Sequence, residues 1–275
     1  MMLEQLKYKN HMNEVFEFGS DGIYIDSNDL HDFEWKITKK NNKISSFDYD
    51  VQKKKLPIVI MCDTEEQGTA AKNRLFEIAE KDVLALKHGQ IIVGDYYLKG
   101  FVTKSQKKDY LLTKKHLKLT LTLTTDFPYW TKETVVPYGV VGADNDSQWL
   151  DYEMNYPHDY FCDMATKQVV NSGFVPSNFR LVIYGPCVNP AVSIAGHTYR
   201  VFCSVGENEY LTIDSSSKKV FLTANNGAVS NQFNARDRDS YVFEKIPPGN
   251  NVVSWNGNFA FDVILLEERS EPKWI

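Results

Sequence analysis

The sequence predicts a mainly β chain of two domains with a single helix. Three observations lead there. Apolar residues recur mostly in short runs or at alternate positions, the period of a strand with one buried face. A capped helical period occurs in one stretch only, about 65–80. Aromatic residues make up 13% of the chain, with 15 Tyr and 16 Phe, a content that suits sheet surfaces more than helical bundles. The 275 residues suffice for one large or two modest domains, and an apolar fraction of 43% can fill their cores.

Residues 1–13 are polar and mixed. Phe16 and Phe18 then alternate before Gly19, and Ile23 and Ile25 alternate after Gly22. Trp35 to Thr38 fits a short strand. Leu56 to Met61 (LPIVIM) reads as a buried strand with Pro57 near its start. The period changes at Thr64. Thr64-Glu65-Glu66-Gln67 has the spacing of a capping box, and its two glutamates suit the positive end of a helix. Ala71, Leu75 and Ile78 or Ala79 form the apolar stripe, so a helix over about Glu65 to Glu80 covers a sheet. Ile91 to Val93 and Tyr96 to Val102 read as strands around a turn at Gly94-Asp95. HLKLTLTLT, residues 116–124, is the cleanest alternation in the chain. Leu117, Leu119, Leu121 and Leu123 face one side; His116, Lys118 and the threonines face the other. Such an amphipathic strand suits a sheet centre or a docking edge.

The domain boundary is expected near Glu133, giving domains 1–133 and 134–275. Residues 142–163 are acidic, aromatic and poor in pattern. Beyond them eight short strands are predicted: Phe179 to Tyr184, Ala191 to Ile194, Thr198 to Cys203, Tyr210 to Ile213, Val220 to Thr223, Tyr241 to Phe243, Asn251 to Trp255 and Asn258 to Leu266. Short strands at this spacing without a helical period predict a β-sandwich.

The chain ends PPGNNVVSWNGNFAFDVILLEERSEPKWI. Asn256-Gly257 is the pair that suits a two-residue type I′ turn, because both central residues of that turn need positive φ. The turn would join the last two strands and fix their register. Phe259, Phe261, Val263 and Leu265 then share one face. Asp262 and Ile264 share the other. The tail from Glu267 to Trp274 holds three carboxylates, two bases and an indole. Trp274 is the candidate C-terminal anchor. Its expected seat is its own sandwich, since Pro272 stiffens the approach and the flanking charges can pair locally.

Net charge is −5, divided as +1 in residues 1–133 and −6 in 134–275. Neither part carries the basic footprint of a nucleic-acid binder. Cys62, Cys162, Cys187 and Cys203 form no close CxxC pair and are expected to be buried free thiols. The N-terminus lacks a basic segment followed by an apolar one, and no apolar run approaches 18 residues, so neither a signal peptide nor membrane insertion is expected.

Chemistry-bearing motifs are scarce. HExxH, GxSxG and P-loop patterns are missing. His11, His31, His88, His116, His158 and His197 show no metal-ligand spacing and are expected on the surface or in turns. His158, beside Asp159 and near Cys162 and Asp163, is the nearest approach to a ligand cluster. Asp144-Asn145-Asp146-Ser147 lacks the rest of a calcium loop. No catalytic, cofactor-binding or metal-binding residue is assigned, and an enzyme is not expected. Trp149, Trp255, Asn189, Arg200 and Glu207 supply the residue types of a saccharide site on a galectin-like sandwich. Core tryptophans and solvated polar groups explain the same residues more simply.

Several segments in order resemble the distal tail protein family of long-tailed phages that infect Gram-positive bacteria, a family also seen in prophages and tail-like particles. In the first half these are FEFGSDGIYI, TEEQGTAAKNRLFEIAE and LKLTLTLTTDFPYW. In the second they are NPAVSIAGHTY, ENEYLTIDSSSKKVFL, FEKIPPGNNVVSW and EERSEPKWI. The resemblance implies an N-terminal β-structure, a sandwich or split barrel with one helix, and a C-terminal galectin-like β-sandwich. It implies a homo-hexameric ring at the virion tail tip, assembled in the host cytoplasm. The ring would join the tail tube protein and the tape-measure protein end to a tail-associated fibre or lysin protein, with a receptor-binding protein as a further candidate partner. No cofactor is implied, and the family's role is structural. The alternatives are a carbohydrate-binding tail accessory protein that recognises host cell-wall glycan, and a glycan-active enzyme on sandwich domains.

Overall fold

A computed structural model describes residues 6–20, 22–108, 115–141 and 167–273. The chain is mainly β, with one α-helix among the described residues. It divides into two compact units. The first takes in residues up to Lys132 and those from Glu268 onward; the second is Glu133–Glu267.

The first unit contains β1 (Leu6–Lys9), β2 (Val15–Glu17), β3 (Ile23–Ile25), β4 (Lys36–Lys40), β5 (Lys43–Asp48), β6 (Gln52–Met61), α1 (Glu65–Ala85), β7 (Gly89–Val93), β8 (Tyr96–Lys108) and β9 (His116–Thr125). Two antiparallel ladders share β8. Its first residues pair with β7, extending the order β2–β1–β7–β8. From Phe101 onward β8 pairs with β9, with a bulge between Val102 and Lys104, in the order β8–β9–β6–β3. A bulge lets one strand bend from one ladder to the other. Leu117, Leu119, Leu121 and Leu123 are buried with Leu56, Ile58 and Ile60 of the neighbouring strand. Leu75, Ile78 and Ala79 of α1 enter the same core.

Thr64 and Gln67 form both halves of the capping box at the start of α1. The helix ends at Ala85, five residues past the expected Glu80, and Leu86 closes it in the left-handed conformation at φ 52°. The extra turn is invisible to apolar periodicity because its inward residue is a carboxylate, Asp82. Strand β6 likewise begins four residues before the predicted Leu56. Its early inward position is Lys54, which is buried and donates from Nζ to the carbonyl of Asp32. Burial pushes the Lys54 ammonium down from its ordinary pKa, and Asp29 and Asp32 oppose that shift.

The chain enters the second unit through β10 (Trp130–Tyr138). There follow β11 (Gln168–Asn171), β12 (Asn178–Tyr184), β13 (Cys187–Val188), β14 (Ala191–Ile194), β15 (His197–Arg200), β16 (Ser204–Val205), β17 (Tyr210–Asp214), β18 (Lys219–Thr223), β19 (Val229–Asn231), β20 (Gly249–Trp255) and β21 (Phe261–Arg269). One ladder runs β19–β18–β17–β12–β21 and another β11–β20–β14–β15. Alternate residues of both supply one core: Phe179, Leu181, Ile213 and Val263 from the first, Val169, Ile194 and Val253 from the second. Residues 241–243 form a turn rather than the predicted strand, although Phe243 is buried.

Candidate functional site

A buried polar cluster in the first unit surrounds Asp82. Its carboxylate is fully buried. Oδ2 accepts from the Tyr8 hydroxyl at 2.6 Å, and Oδ1 accepts from the His11 backbone N–H at 2.8 Å and meets His11 Nδ1 at 2.6 Å. Burial, followed by the bond to Asp82, raises the Tyr8 phenol far above its ordinary range. Gly89 makes room for the network: a Cβ there would lie 2.2 Å from Asp82 Oδ2 and 2.3 Å from the Tyr8 oxygen. The cluster joins β1 and its following turn to the last turn of α1. Its role is that of a staple, since a satisfied buried carboxylate fixes the elements that satisfy it. His11, expected on the surface or in a turn, does lie in the turn after β1, and its ring is largely buried in this network.

Among the described residues, strands β4 and β5 pair only with each other and form a separate two-stranded sheet. Asn41 and Asn42 between them both take positive φ, 51° and 59°, the requirement of a type I′ turn. All eleven residues of the two strands are exposed. Ile37 stands opposite Phe47, and a bulge after Thr38 sets Ile44 opposite Lys39. Lys39 lies two residues from Ile37, so the three apolar side chains share a face. They are 48%, 54% and 56% exposed for Ile37, Ile44 and Phe47. The base of the hairpin is fixed. Trp35 packs on Tyr49 at 4.3 Å and on Phe47 at 6.0 Å, Tyr49 packs on Tyr129 at 4.7 Å, and Lys36 pairs with Asp50 at 2.7 Å.

The tail from Glu268 groups with this unit instead of the 134–275 domain in which it was expected to seat. Burial raises the Tyr49 phenol, and Ser270 beside it offsets part of that shift. Glu271 Oε1 lies 3.7 Å from His31 Nδ1. Trp274 lies outside the described residues.

Between β2 and β3 lies a groove of about 600 Å³. Phe16, Ile23, Tyr24, Met61 and Ala71 line it, with Tyr24 and Met61 half-exposed. Among the described residues, β2 pairs only with β1 and β3 only with β6, so both flank the groove as edge strands. Glu17 and Asp63 line it too, and Glu65 and Glu66 follow in the first turn of α1. Arg74 donates from Nη2 to the Val15 carbonyl at 3.0 Å.

The amphipathic strand is β9, bounded by β6 and β8, with Leu117, Leu119, Leu121 and Leu123 in the core. Phe259 and Phe261 are buried in the second unit. The predicted terminal hairpin is not formed. Strand β20 pairs with β11 and β14, β21 pairs with β12, and Asn256–Ala260 passes from one ladder to the other. Gly257 has φ +80°, but Asn256 stays outside the positive-φ region and instead accepts the Asn258 N–H on Oδ1 at 3.1 Å. That is an Asx turn, and one positive φ cannot make type I′. Gly257 is required for a second reason: a Cβ would stand 2.9 Å from the Val141 Cβ.

The saccharide candidates among the described residues do not form an aromatic platform. Trp255 packs edge-on against Tyr138 at 5.7 Å and Phe261 at 5.1 Å in the second core. Arg200 lies 3.7 Å from Asp237, and Asn189 sits in a left-handed turn. Trp149, His158, Cys162 and the 144–147 run lie outside the described residues. Cys62 is buried, whereas Cys187 and Cys203 are only half-buried. Burial pushes the Cys187 thiol up to about 11, with Cys203 adding to the shift.

Sequence reasoning also missed a fixed loop after β11. Asn171 is buried and uses its whole amide. Nδ2 donates to the carbonyls of Val175 and Ile246, and Oδ1 accepts from Gly173 N–H and the Ser177 hydroxyl. The loop so held presents Phe174 with 92% of its surface exposed. Asn-Ser-Gly was the available signal for a turn.

No protein-family model and no curated protein sequence matches the chain. Solved structures do resemble it. A chain of the phage P2 baseplate in its activated conformation with Ca aligns over 98% of this chain and 100% of its own, with a TM-score of 0.64 and 11% identity. A chain of the phage p2 baseplate in its activated conformation with Sr gives the same coverage, a TM-score of 0.63 and 12% identity. The SPP1 Dit protein, described as a paradigm of hub adsorption apparatus in Gram-positive infecting phages, aligns over 98% of this chain and 100% of its own, with a TM-score of 0.57 and 11% identity. At these identities the likeness is one of fold.

Proposed function

We propose that this chain is a structural, non-enzymatic hub component of a phage tail tip. In this reading the first unit builds a closed ring of six copies continuous with the tail tube. The second unit is a galectin-like sandwich, and the ring joins the tube to the tail-tip or baseplate and adsorption apparatus. One observation carries the reading. The likeness to baseplate and hub chains spans both units in one alignment, covering 98% of this chain and the whole of each compared chain. A shared single domain would support a far weaker statement, because one fold hosts many functions. The saccharide-binding alternative is the weaker one, since Trp255 is taken up by the second core.

The test is the mass and image of the purified full chain. Hexamers, or hexamers stacked in pairs, are expected at micromolar protein, with a closed ring in electron micrographs. A chain that stays monomeric at every concentration, and is also monomeric in tail particles, would defeat the ring.

A further inference from the structure

The β4–β5 hairpin presents an apolar face and a basic tip, while the same unit holds, elsewhere, a groove of mixed polarity with half-exposed Tyr24 and Met61 and acidic residues at its helix end. We propose that the hairpin of one copy docks into the β2/β3 groove of a second copy of this chain. The proposal rests on the ring reading and names the contact that would build the ring.

Three features converge on it. The first is the hairpin's apolar content. Ile37, Ile44 and Phe47 share one face, each about half-exposed, on a sheet of only two strands. A two-stranded hairpin is marginal by itself in water. This one is nevertheless held at its base by the Trp35–Tyr49–Tyr129 ring contacts and the Lys36–Asp50 pair. A fixed arm that displays apolar side chains loses little entropy when it docks.

The second feature is the groove. Its lining is mixed, and the half-exposed Tyr24 and Met61 supply the apolar contact for side chains of this kind. Its flanking strands are short and their outward backbone groups are partly taken, Ile23 by Gly19 and Ser20 and the Val15 carbonyl by Arg74, so side-chain contact and not strand addition would hold the arm. The third feature is charge. Lys39, Lys40 and Lys43 cluster around the hairpin turn. Asp63 lines the groove, beside Arg74 and a Glu17 already paired with Lys7 at 2.7 Å, and Glu65 and Glu66 begin the adjoining helix, so the acidic character lies at the helix end. Complementary charge of this kind selects the partner and its direction more than it adds affinity. The two patches are different surfaces of one chain, so the contact is heterologous and repeats from copy to copy until it closes or grows. A foreign protein would need to supply both complements; a second copy already has them.

The experiment is a charge swap in the full chain, read by native mass and sedimentation. One variant carries Lys39→Glu, Lys40→Glu and Lys43→Glu. A second carries Asp63→Lys and Glu66→Lys, and equimolar mixing joins the two. Melting of each variant alone is the control for folding. Each variant alone should associate at least tenfold more weakly than the natural chain, and the mixture should regain association. If the natural chain assembles and the hairpin variant assembles equally well, the hairpin contact is wrong and the ring reading stands. If both variants fail and the mixture also fails, the hairpin docks somewhere other than this groove, and the proposal falls. A natural chain that never assembles overturns the ring reading and this contact with it.

Discussion

Strands β9 and the β4–β5 hairpin are both amphipathic, and the structure treats them oppositely. In β9 the four leucines face a core supplied by β6, β8 and α1. In the hairpin, Ile37, Ile44 and Phe47 join no core among the described residues, although Phe47 touches Trp35 at its base. Alternation in a sequence states that a strand has an apolar face. It does not state what covers that face. For β9 the cover is intramolecular, so its apolar residues determine stability. For the hairpin the cover proposed here is another copy, so its apolar residues should determine assembly and leave stability nearly untouched.

The largest expected effect comes from the covered face. Leu121→Asp places a carboxylate in the first core and removes a buried side chain. The combined cost should reach about 5 kcal/mol or more, comparable with the whole stability of a domain. Thermal melting of the full chain should lose the first unit's transition. Thr122→Lys, on the other face of the same strand, should cost no more than about 0.5 kcal/mol. Equal losses in the two variants would break the comparison at its stronger end.

Next in size is Asp82→Ala. The substitution leaves the Tyr8 hydroxyl and the His11 N–H without their buried acceptor. About 3 kcal/mol should be lost, because each orphaned donor carries its desolvation cost. A double-mutant cycle with Tyr8→Phe checks the mechanism. The two changes together should cost less than their sum, since they remove one hydrogen bond from both ends. Strict additivity would show that the network does not act as a unit.

Truncation after Arg269 should have a smaller effect. It removes Ser270, beside the Tyr49 hydroxyl, and Glu271, near His31. A loss of about 1 kcal/mol is expected in the melting of the first unit, within the usual range for partly exposed polar contacts. A loss confined to the second unit would reverse the grouping of the tail.

How much of this was legible depended on whether one chemical rule decided the position. The helix start was legible because Thr64 and Gln67 satisfy each other's backbone donors within four residues. The helix end was not, because Asp82 turns inward on account of Tyr8 and His11, more than 70 residues away in sequence. Lys54 was missed for the same reason: its partner at Asp32 comes from a distant loop. The two turn signals show the limit most clearly. Asn256-Gly257 had the better sequence for type I′, yet it spans two ladders and carries an Asx turn. Positive-φ pairs were found instead at Asn41-Asn42, whose local sequence Lys-Asn-Asn-Lys gave a weaker signal, and at Ala195-Gly196 between β14 and β15. Local propensity proposes a turn, and strand pairing at a distance decides it. At the candidate interface, lysines around a turn read as an ordinary solvated tip. Their relation to the carboxylates near α1 exists only once both are folded.

The smallest expected change in stability, and the sharpest test of the comparison, is Ile44→Ser in the hairpin. Ile44 is more than half exposed, so replacing it removes little buried surface. The melting of a monomeric preparation should move by no more than about 0.5 kcal/mol in either direction. Its assembly should weaken severely, because a side chain that is bare in the monomer and buried in a docked arm acts only on the second equilibrium. Ile58→Ser on β6 is the matching control: the same substitution on a covered strand should lower melting by several kcal/mol, given that Ile58 is buried. Sedimentation across a concentration series, paired with melting, separates the two quantities. If Ile44→Ser lowers melting as Ile58→Ser does, the hairpin's apolar face already has an intramolecular cover. If it changes neither melting nor assembly, that face is bare in the assembled protein as well, and the difference between the two strands has no functional meaning.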